Sequence, residues 1–485
     1  MKEKDVKVGY LPDDKPSFGK AIVFALQQFL VMLPATILAA LIMNSVEVDI
    51  GGVIHTVELY SIPAAVFASG VATLSFLFIT KFEIPLYYGS SFSYIPAVAI
   101  VISHYVTISS GNYDVKAVFG SIMIASIVSG LMSIGAGLLV RKSGMEKVDK
   151  ILPGHITGMI AMIIGLSLAS DTMQGILVDS TNVNWPSVFV ALFTFLVVVT
   201  MTVVLKKGFI SQIPILIGVV AGAIASYIVF VPSLYTDLGF FESISYYINN
   251  IQSGKVGLFD HMPWNVLPAA FANPSLILTA ILAIFPIAFA TIPESAAHVN
   301  QVDLYVNNLA AELGDKRRYN IKDMLDVNLI GDGTADIVAV LFGGPAGTNY
   351  GENISASTIT KNFSSYVFAI TGVLAIIVGI LLHLLGNINI SQLLTSPVIN
   401  GVSLYLFGAI AVQGIALMID KKINVFDPAV VAVMAFIAIV GLGVDGITIT
   451  DSIIIPGIGV AAFGGILLNM LLNWFKSLAN KKSIA

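Results

Sequence analysis

Gly89-Ser90-Ser91-Phe92-Ser93-Tyr94 and Gly347-Thr348-Asn349-Tyr350-Gly351-Glu352 begin with the same order of residue types: glycine, small hydroxyl, small polar, aromatic. Each sits inside an apolar run. A helix in hydrocarbon satisfies its own backbone groups, so a glycine-rich polar break is tolerated only where it borders a polar cavity or other protein. Broken helices at matching positions of two halves point to the binding site of a carrier built from inverted repeats. The site is therefore expected between the two breaks.

The 485 residues are 56% hydrophobic and 11% charged, against about 25% charged in ordinary soluble domains. The apolar stretches approach the ~20 residues a helix needs to cross the hydrocarbon layer. They lack the period-2 alternation of a membrane barrel. Spans are expected near 21–43, 63–80, 85–103, 118–140, 152–169, 187–205, 210–231, 276–292, 327–342, 348–360, 366–385, 398–418, 429–444 and 453–475. The first break lies in the third span and the second in the tenth, the third of a second set of seven. Seven is odd, so the two sets enter the membrane from opposite sides. The expected fold class is an all-α polytopic membrane protein of fourteen spans in two inverted repeats.

Basic residues test that count. Of the 24 Lys and Arg, only Lys116 and Lys255 fall on the side opposite the N-terminus. By the positive-inside rule both termini are expected in the cytoplasm, with the chain multi-pass in the cell membrane. Residues 1–20 carry five lysines without an apolar core or cleavage site, so a cytoplasmic tail is expected rather than a removable signal peptide; 476–485 is the second tail. The longest outer loop, about 232–275, is rich in Tyr, Phe and Trp and reads as an interfacial loop.

The absence of cysteine removes disulfides, thiol catalysis and Cys-based metal sites. Neither a His-Glu-x-x-His helix nor a phosphate-binding Gly-x-x-x-x-Gly-Lys loop is present, which argues against a metalloprotease and an ATP-driven pump. No metal or other cofactor is expected, no enzymatic activity is indicated, and active transport would draw on an ion gradient.

A carboxylate at mid-membrane costs at least about 2.5–3.5 kcal/mol on insertion scales, so each needs a reason. Glu294 lies in Thr291-Ile292-Pro293-Glu294-Ser295-Ala296-Ala297-His298, with His298 one turn on and on the same helix face. Glu352 stands at the second break. Both are expected to accept hydrogen bonds from a flat polar ligand whose carbonyls meet backbone N–H groups at the broken helices. Glu294 with His298 is the expected proton-coupling pair. Asp332 and Asp336, four apart on span 9, read chiefly as packed polar groups; the alternative is that they position the break, line the cavity or join a proton relay. Phe92 and Tyr350 suit stacking on a planar ring, with core packing as the alternative. Gln27 either lines the cavity or bonds between helices, and Asn349 is a further lining candidate. His155 and His383, isolated on apolar stretches, read as packing or interfacial residues.

At these residues the chain resembles the nucleobase-ascorbate transporter family, and within it the bacterial uracil permeases. The most specific stretch runs from Gly331-Asp332-Gly333 through Phe342-Gly343-Gly344-Pro345-Ala346-Gly347 to Glu352-Asn353-Ile354. Ala25-Leu26-Gln27-Gln28, Gly89-Ser90-Ser91-Phe92, Met162–Leu168 and Pro397–Leu404 support it in order along the chain. The resemblance implies a core domain of spans 1–4 and 8–11, residues 21–150 and 276–390. It implies a gate domain of spans 5–7 and 12–14, residues 151–235 and 391–475, with 236–275 as the outer loop. Short antiparallel strands are implied in spans 3 and 10. Carried over residue by residue, Glu294 and Glu352 match two substrate carboxylates, His298 a histidine tied to proton coupling, and Phe92 and Gly351 backbone contacts to the base.

The implied activity is uptake of a nucleobase, uracil, by proton symport, the core sliding against the gate in alternating access. The implied partners are the nucleobase, a proton (sodium is the alternative ion), membrane lipid and a second copy in a homodimer; nucleic acid is not among them. The alternatives are a purine such as xanthine or urate, and an ion or anion transporter or channel of the same fold, although the acidic pair would repel an anion. Gly351-Glu352-Asn353-Ile354 looks like the uracil branch. Ser295 departs from it, because uracil permeases usually place a histidine directly after the span-8 glutamate.

Overall fold

The computed structural model describes residues 9–111, 113–144, 153–179, 182–205, 213–234, 239–249, 256–385, 394–444, 446–450 and 453–482. The helices are α1 (Phe18–Asn44), α2 (Ile62–Ile79), α3 (Ile95–Ile108), α4 (Val115–Ser143), α5 (Gly154–Leu177), α6 (Trp185–Val204), α7 (Pro214–Leu234), α8 (Phe240–Asn249) and α9 (Pro263–Phe271). There follow α10 (Pro274–Ile284), α11 (Ala288–Glu312), α12 (Leu325–Leu341), α13 (Gly351–Thr360), α14 (Ser365–Leu384), α15 (Ser396–Asp420), α16 (Pro428–Gly443) and α17 (Gly457–Lys482). Four two-stranded antiparallel pairs punctuate them: β1–β2 (Glu47–Ile50, Val53–Thr56), β3–β6 (Tyr88–Ser90, Gly347–Asn349), β4–β5 (Val178–Asp179, Asn182–Val183) and β7–β8 (Gly446–Thr450, Ile453–Pro456).

Every expected span is occupied by a helix. Among the described residues nine helical segments are long and apolar enough to cross a membrane, α10 and α11 together counting as one, and three further apolar helices are shorter. Helices α12 and α13 are 17 and 10 residues long and carry Asp326, Asp332, Asp336 and Glu352. Hydropathy of the helices alone therefore does not set the count at fourteen.

The packing has the two-fold logic of an inverted repeat. Exchanging each span with the one seven later turns the contact of α2 with α14 into that of α12 with α4, and the contact of α6 with α7 into that of α16 with α17. It turns α6 against α15 into α16 against α5, while α5 against α15 and β3 against β6 map onto themselves. Lipid gives no hydrophobic drive to such contacts, so they depend on close approach of small residues. Matching glycines provide it: a Cβ on Gly70 would lie 2.4 Å from the Gly372 carbonyl, and one on Gly333 would lie 2.2 Å from the Gly130 carbonyl.

The outer loop contains α8 and α9, with Phe241, Trp264 and Phe271 exposed; residues 235–238 and 250–255 lie outside the described residues. One boundary expectation changes. The N-terminal stretch is not a free tail up to residue 20. Residues 1–8 lie outside the described residues, but Leu11 is buried, Tyr10 N–H donates to the Lys361 carbonyl at 2.8 Å, and Phe363 and Ser365 N–H donate back to Tyr10 and Pro12 at 2.9 and 3.0 Å. Asp13 pairs with Arg317 and accepts the Tyr319 hydroxyl at 2.7 Å. The segment thus joins the loop after α11 to the loop after α13. At the other end α17 continues to Lys482, and 483–485 lie outside the described residues.

Burial opposes ionisation of Asp13, yet the bonds from Tyr319, its own main chain and Arg317 outweigh it and hold the carboxyl below its ordinary value of 3.8. A depressed carboxyl contributes anchoring above its unfolded value and loses it as pH falls through the depressed one. Hydrogen exchange of residues 9–16 is therefore expected to stay slow from neutral pH down to about 4 and to accelerate below that.

Candidate functional site

The two breaks meet. β3 and β6 run antiparallel with Tyr88 opposite Asn349, Gly89 opposite Thr348 and Ser90 opposite Gly347. Ser91 N–H donates to the Ala346 carbonyl at 3.1 Å and Tyr350 N–H to the Tyr87 carbonyl at 2.8 Å, extending the pair at both ends. Each strand thereby satisfies backbone groups that its interrupted helix leaves open. Thr73 on α2 pins β3, its hydroxyl meeting both the N–H and the carbonyl of Tyr88 at 3.0 Å. Asp336 on α12 pins both strands: Oδ1 accepts the Tyr88 hydroxyl and, at 2.9 Å, the N–H of Gly347.

Helices start from these strands. Gly351 opens α13; the Tyr350 side chain does not cap it, and in its first turn the Glu352 carboxylate engages its own N–H. The N-terminal end of a helix favours carbonyl oxygens and other electron-rich groups. Behind α13, Gln28 of α1 holds the helix: Asn353 Nδ2 donates to Gln28 Oε1 at 2.7 Å, and Gln28 Nε2 donates to Ser357 Oγ at 2.8 Å.

A cavity of about 510 Å³ lies in front of the paired strands. On one side Phe92, Glu294, His298, Asn349, Tyr350, Gly351 and Glu352 line it, and on the other Ala161 of α5 and Leu406, Ala409, Ile410, Gln413 and Asp420 of α15. Both carboxylates are half-buried and close enough to repel each other. Phe92 stands edge-on to Phe407 of α15, the ring centres 6.3 Å apart. His298 is buried and its ring hydrogen-bonds the main-chain carbonyl of Asn349; Nδ1 has no partner among the described residues, which leaves Nε2 as the donor. The cavity continues along α15 to Asp420, beside Lys421 and Lys422 on the lysine-rich face.

The structure thus gathers Glu294, Glu352, His298, Phe92, Gly351, Tyr350 and Asn349 in one place. Tyr350 is not free to stack as a mobile ring would. Its hydroxyl donates to the Ser90 carbonyl at 2.8 Å and lies 3.1 Å from the Thr36 hydroxyl, and its ring covers Gly89, where a Cβ would meet it at 2.4 Å. Gln27 does not line the cavity; the inward-facing glutamine is its neighbour Gln28, because successive residues on a helix point about 100° apart. Asp332 and Asp336 lie behind the strands and do not line it either, since α12 packs against α2 and α4. His155, at the start of α5, and His383, edge-on to Phe259 in the last turn of α14, lie away from it. Sequence reasoning missed Gln413 and Ser355. Gln413 was discoverable as a lone amide on an apolar helix, whereas Ser355, one turn after Glu352, carries no signal in an already polar segment.

Comparison with known proteins places this geometry. The Xan_ur_permease family model, described as a permease family, matches residues 19–449. The chain is 30% identical over 465 residues to the uracil permease of Bacillus caldolyticus, covering 95% of this chain and 93% of that one. It is 28% identical over 478 residues to the uracil permease of Bacillus subtilis (strain 168), covering 97% and 96%. Among solved structures, the transmembrane domain of the cyanobacterial bicarbonate transporter BicA superposes with a TM-score of 0.54 at 15% identity, over 93% of this chain and 96% of that one. The SLC26A9 structure superposes with 0.59 at 12%, over 94% and 65%. At these identities the structural likeness is one of fold.

Proposed function

This chain belongs to the permease family described by the Xan_ur_permease model, a multi-pass membrane transporter and not an enzyme, and on that footing we propose that it imports uracil by proton symport. The observation that carries the reading is that Glu294 and Glu352 line the same side of one cavity, beside the first turn of α13. Uracil is planar and presents two N–H donors and two carbonyl acceptors. The carboxylates suit the donors, the N–H groups of α13 suit a carbonyl, and Phe92 offers a ring to the flat face. The names of the two Bacillus relatives support the same cargo.

Proton coupling follows from charge. Two carboxylates facing one cavity repel, and a proton taken up by Glu294, with the unpartnered Nδ1 of His298 nearby, removes that repulsion. Residues 21–150 and 276–390 form the proposed core that carries the cargo, and 151–235 and 391–475 the gate it moves against in alternating access. The termini are assigned to the cytoplasm, in the cell membrane and with the protein as a homodimer. The extension of the cavity along α15 to Asp420 supports access to the cargo from the side assigned to the cytoplasm.

Competition binding on purified protein tests the cargo. Unlabelled uracil should displace labelled uracil, while xanthine and urate at tenfold excess should not; displacement by xanthine instead assigns a purine carrier. His298→Ala should reduce gradient-driven accumulation at least about tenfold while changing equilibrium binding by less than about threefold, since general proton transfer by a positioned side chain contributes factors of 10² or more. Equal losses in both would mean that His298 only shapes the cavity.

A further inference from the structure

Ser295 does not line the cavity although it follows Glu294 directly. It is fully buried on the far side of α11, where its Oγ accepts Asn328 Nδ2 at 2.7 Å and its hydroxyl engages the Asp332 carboxylate. Asn328 Oδ1 in turn accepts Asn349 Nδ2 at 3.5 Å. Asn349 is the last residue of β6, and its carbonyl receives His298.

These bonds run one way. An amide nitrogen can only donate, so Ser295 Oγ accepts from Asn328 Nδ2, and the single proton of its hydroxyl is left for a different partner. Asn328 is thereby turned with its amide nitrogen toward Ser295 and its oxygen toward Asn349. That oxygen calls for the Asn349 nitrogen, and Asn349 Oδ1 is left pointing away, without a partner among the described residues. With both Asn328 and Asn349 fully buried, a flipped amide would face like against like.

We infer that Ser295 is a positioning residue for the cargo site, acting through Asn328 and Asn349 on strand β6 and so on the adjoining Gly351 and Glu352. Its effect is on how well the break is held for cargo, and not on contact with cargo. The inference rests on the uracil reading for its binding readout alone; the behaviour of β6 is measurable without any cargo.

The test combines three measurements on the full chain in detergent or nanodiscs. Ser295→Ala should raise the Kd for uracil about 5–30-fold, the range expected from one buried hydrogen bond lost, while the maximal uptake rate at saturating uracil changes less than twofold; Ser295→Thr, which keeps the hydroxyl, should restore binding to within about threefold. In a double-mutant cycle, Asn349→Ala should cost much less in the Ser295→Ala background than in the parent, because the chain is already broken. Without cargo, hydrogen exchange of residues 346–352 should accelerate in Ser295→Ala and leave α2 and α15 unchanged. Parent-like affinity and exchange in Ser295→Ala, additive losses in the cycle, or acceleration spread over the whole protein would each overturn the inference. If the parent chain ignores uracil yet the exchange of β6 responds as stated, the cargo reading fails and the positioning role stands.

Discussion

Glu352→Ala is expected to weaken uracil binding severely, raising the Kd about 10–100-fold. Glu352 occupies the first turn of α13 and faces the cavity, so its carboxylate and the N–H groups beside it act on the same ligand. A hydrogen bond to a charged group is worth about 1.5–3 kcal/mol, so the one uracil N–H that Glu352 accepts corresponds to a factor of roughly 10 to 10² in affinity. Glu352→Gln keeps an acceptor oxygen and loses the charge, so its loss should be nearer tenfold. Calorimetric titration separates these outcomes, with thermal unfolding as the control for folded protein. A folded Glu352→Ala protein that binds uracil as the parent does would remove Glu352 from the site.

Asp336→Ala is expected to damage fold and site together. Asp336 never meets the cavity, yet its Oδ1 accepts from Tyr88 of β3 and from Gly347 of β6. Removing it takes a buried partner from the Gly347 N–H and the Tyr88 hydroxyl, at about 1–3 kcal/mol for each group left unpaired. The Tyr88 hydroxyl can still reach Gly347 N–H, 2.7 Å away, which recovers part of the loss. Asp336→Ala should therefore lower the unfolding temperature by several degrees and weaken uracil binding at least about tenfold, whereas Tyr88→Phe should do less of both. Normal stability with lost binding would instead place Asp336 in contact with cargo.

Much of the arrangement was legible because it violates the rules of an apolar span. Gly-Ser-Ser and Gly-Thr-Asn inside hydrocarbon have no packing purpose, so the meeting of spans 3 and 10 could be read from residues 89–94 and 347–352. The carboxylates announced themselves in the same way, since ionisable groups in spans need a reason. What stayed hidden depends on rotation and on distant partners. Gln27 and Gln28 are adjacent on a helix with apolar residues all round, and only the packed position of α1 decides which faces α13. Tyr350 shows in sequence that it is aromatic, but not that Gly89, Ser90 and Thr36 already claim its ring and hydroxyl. The docked segment around Leu11 was masked by its polar neighbours, because its bonds are main-chain bonds to residues 361–365 that leave no mark in side-chain pattern. Ser295 shows in sequence as a departure from the uracil branch, but not that it sits behind the cavity, bonded to Asn328 of α12.

The most direct test of the account is uptake of labelled uracil into proteoliposomes holding the purified protein, with and without an inward proton gradient and with excess unlabelled xanthine. Uptake that the gradient stimulates, that collapses when the gradient is dissipated and that xanthine leaves unchanged is the predicted result. Folded protein that takes up no uracil under the gradient, or takes it up equally without one, would contradict proton-coupled uracil import.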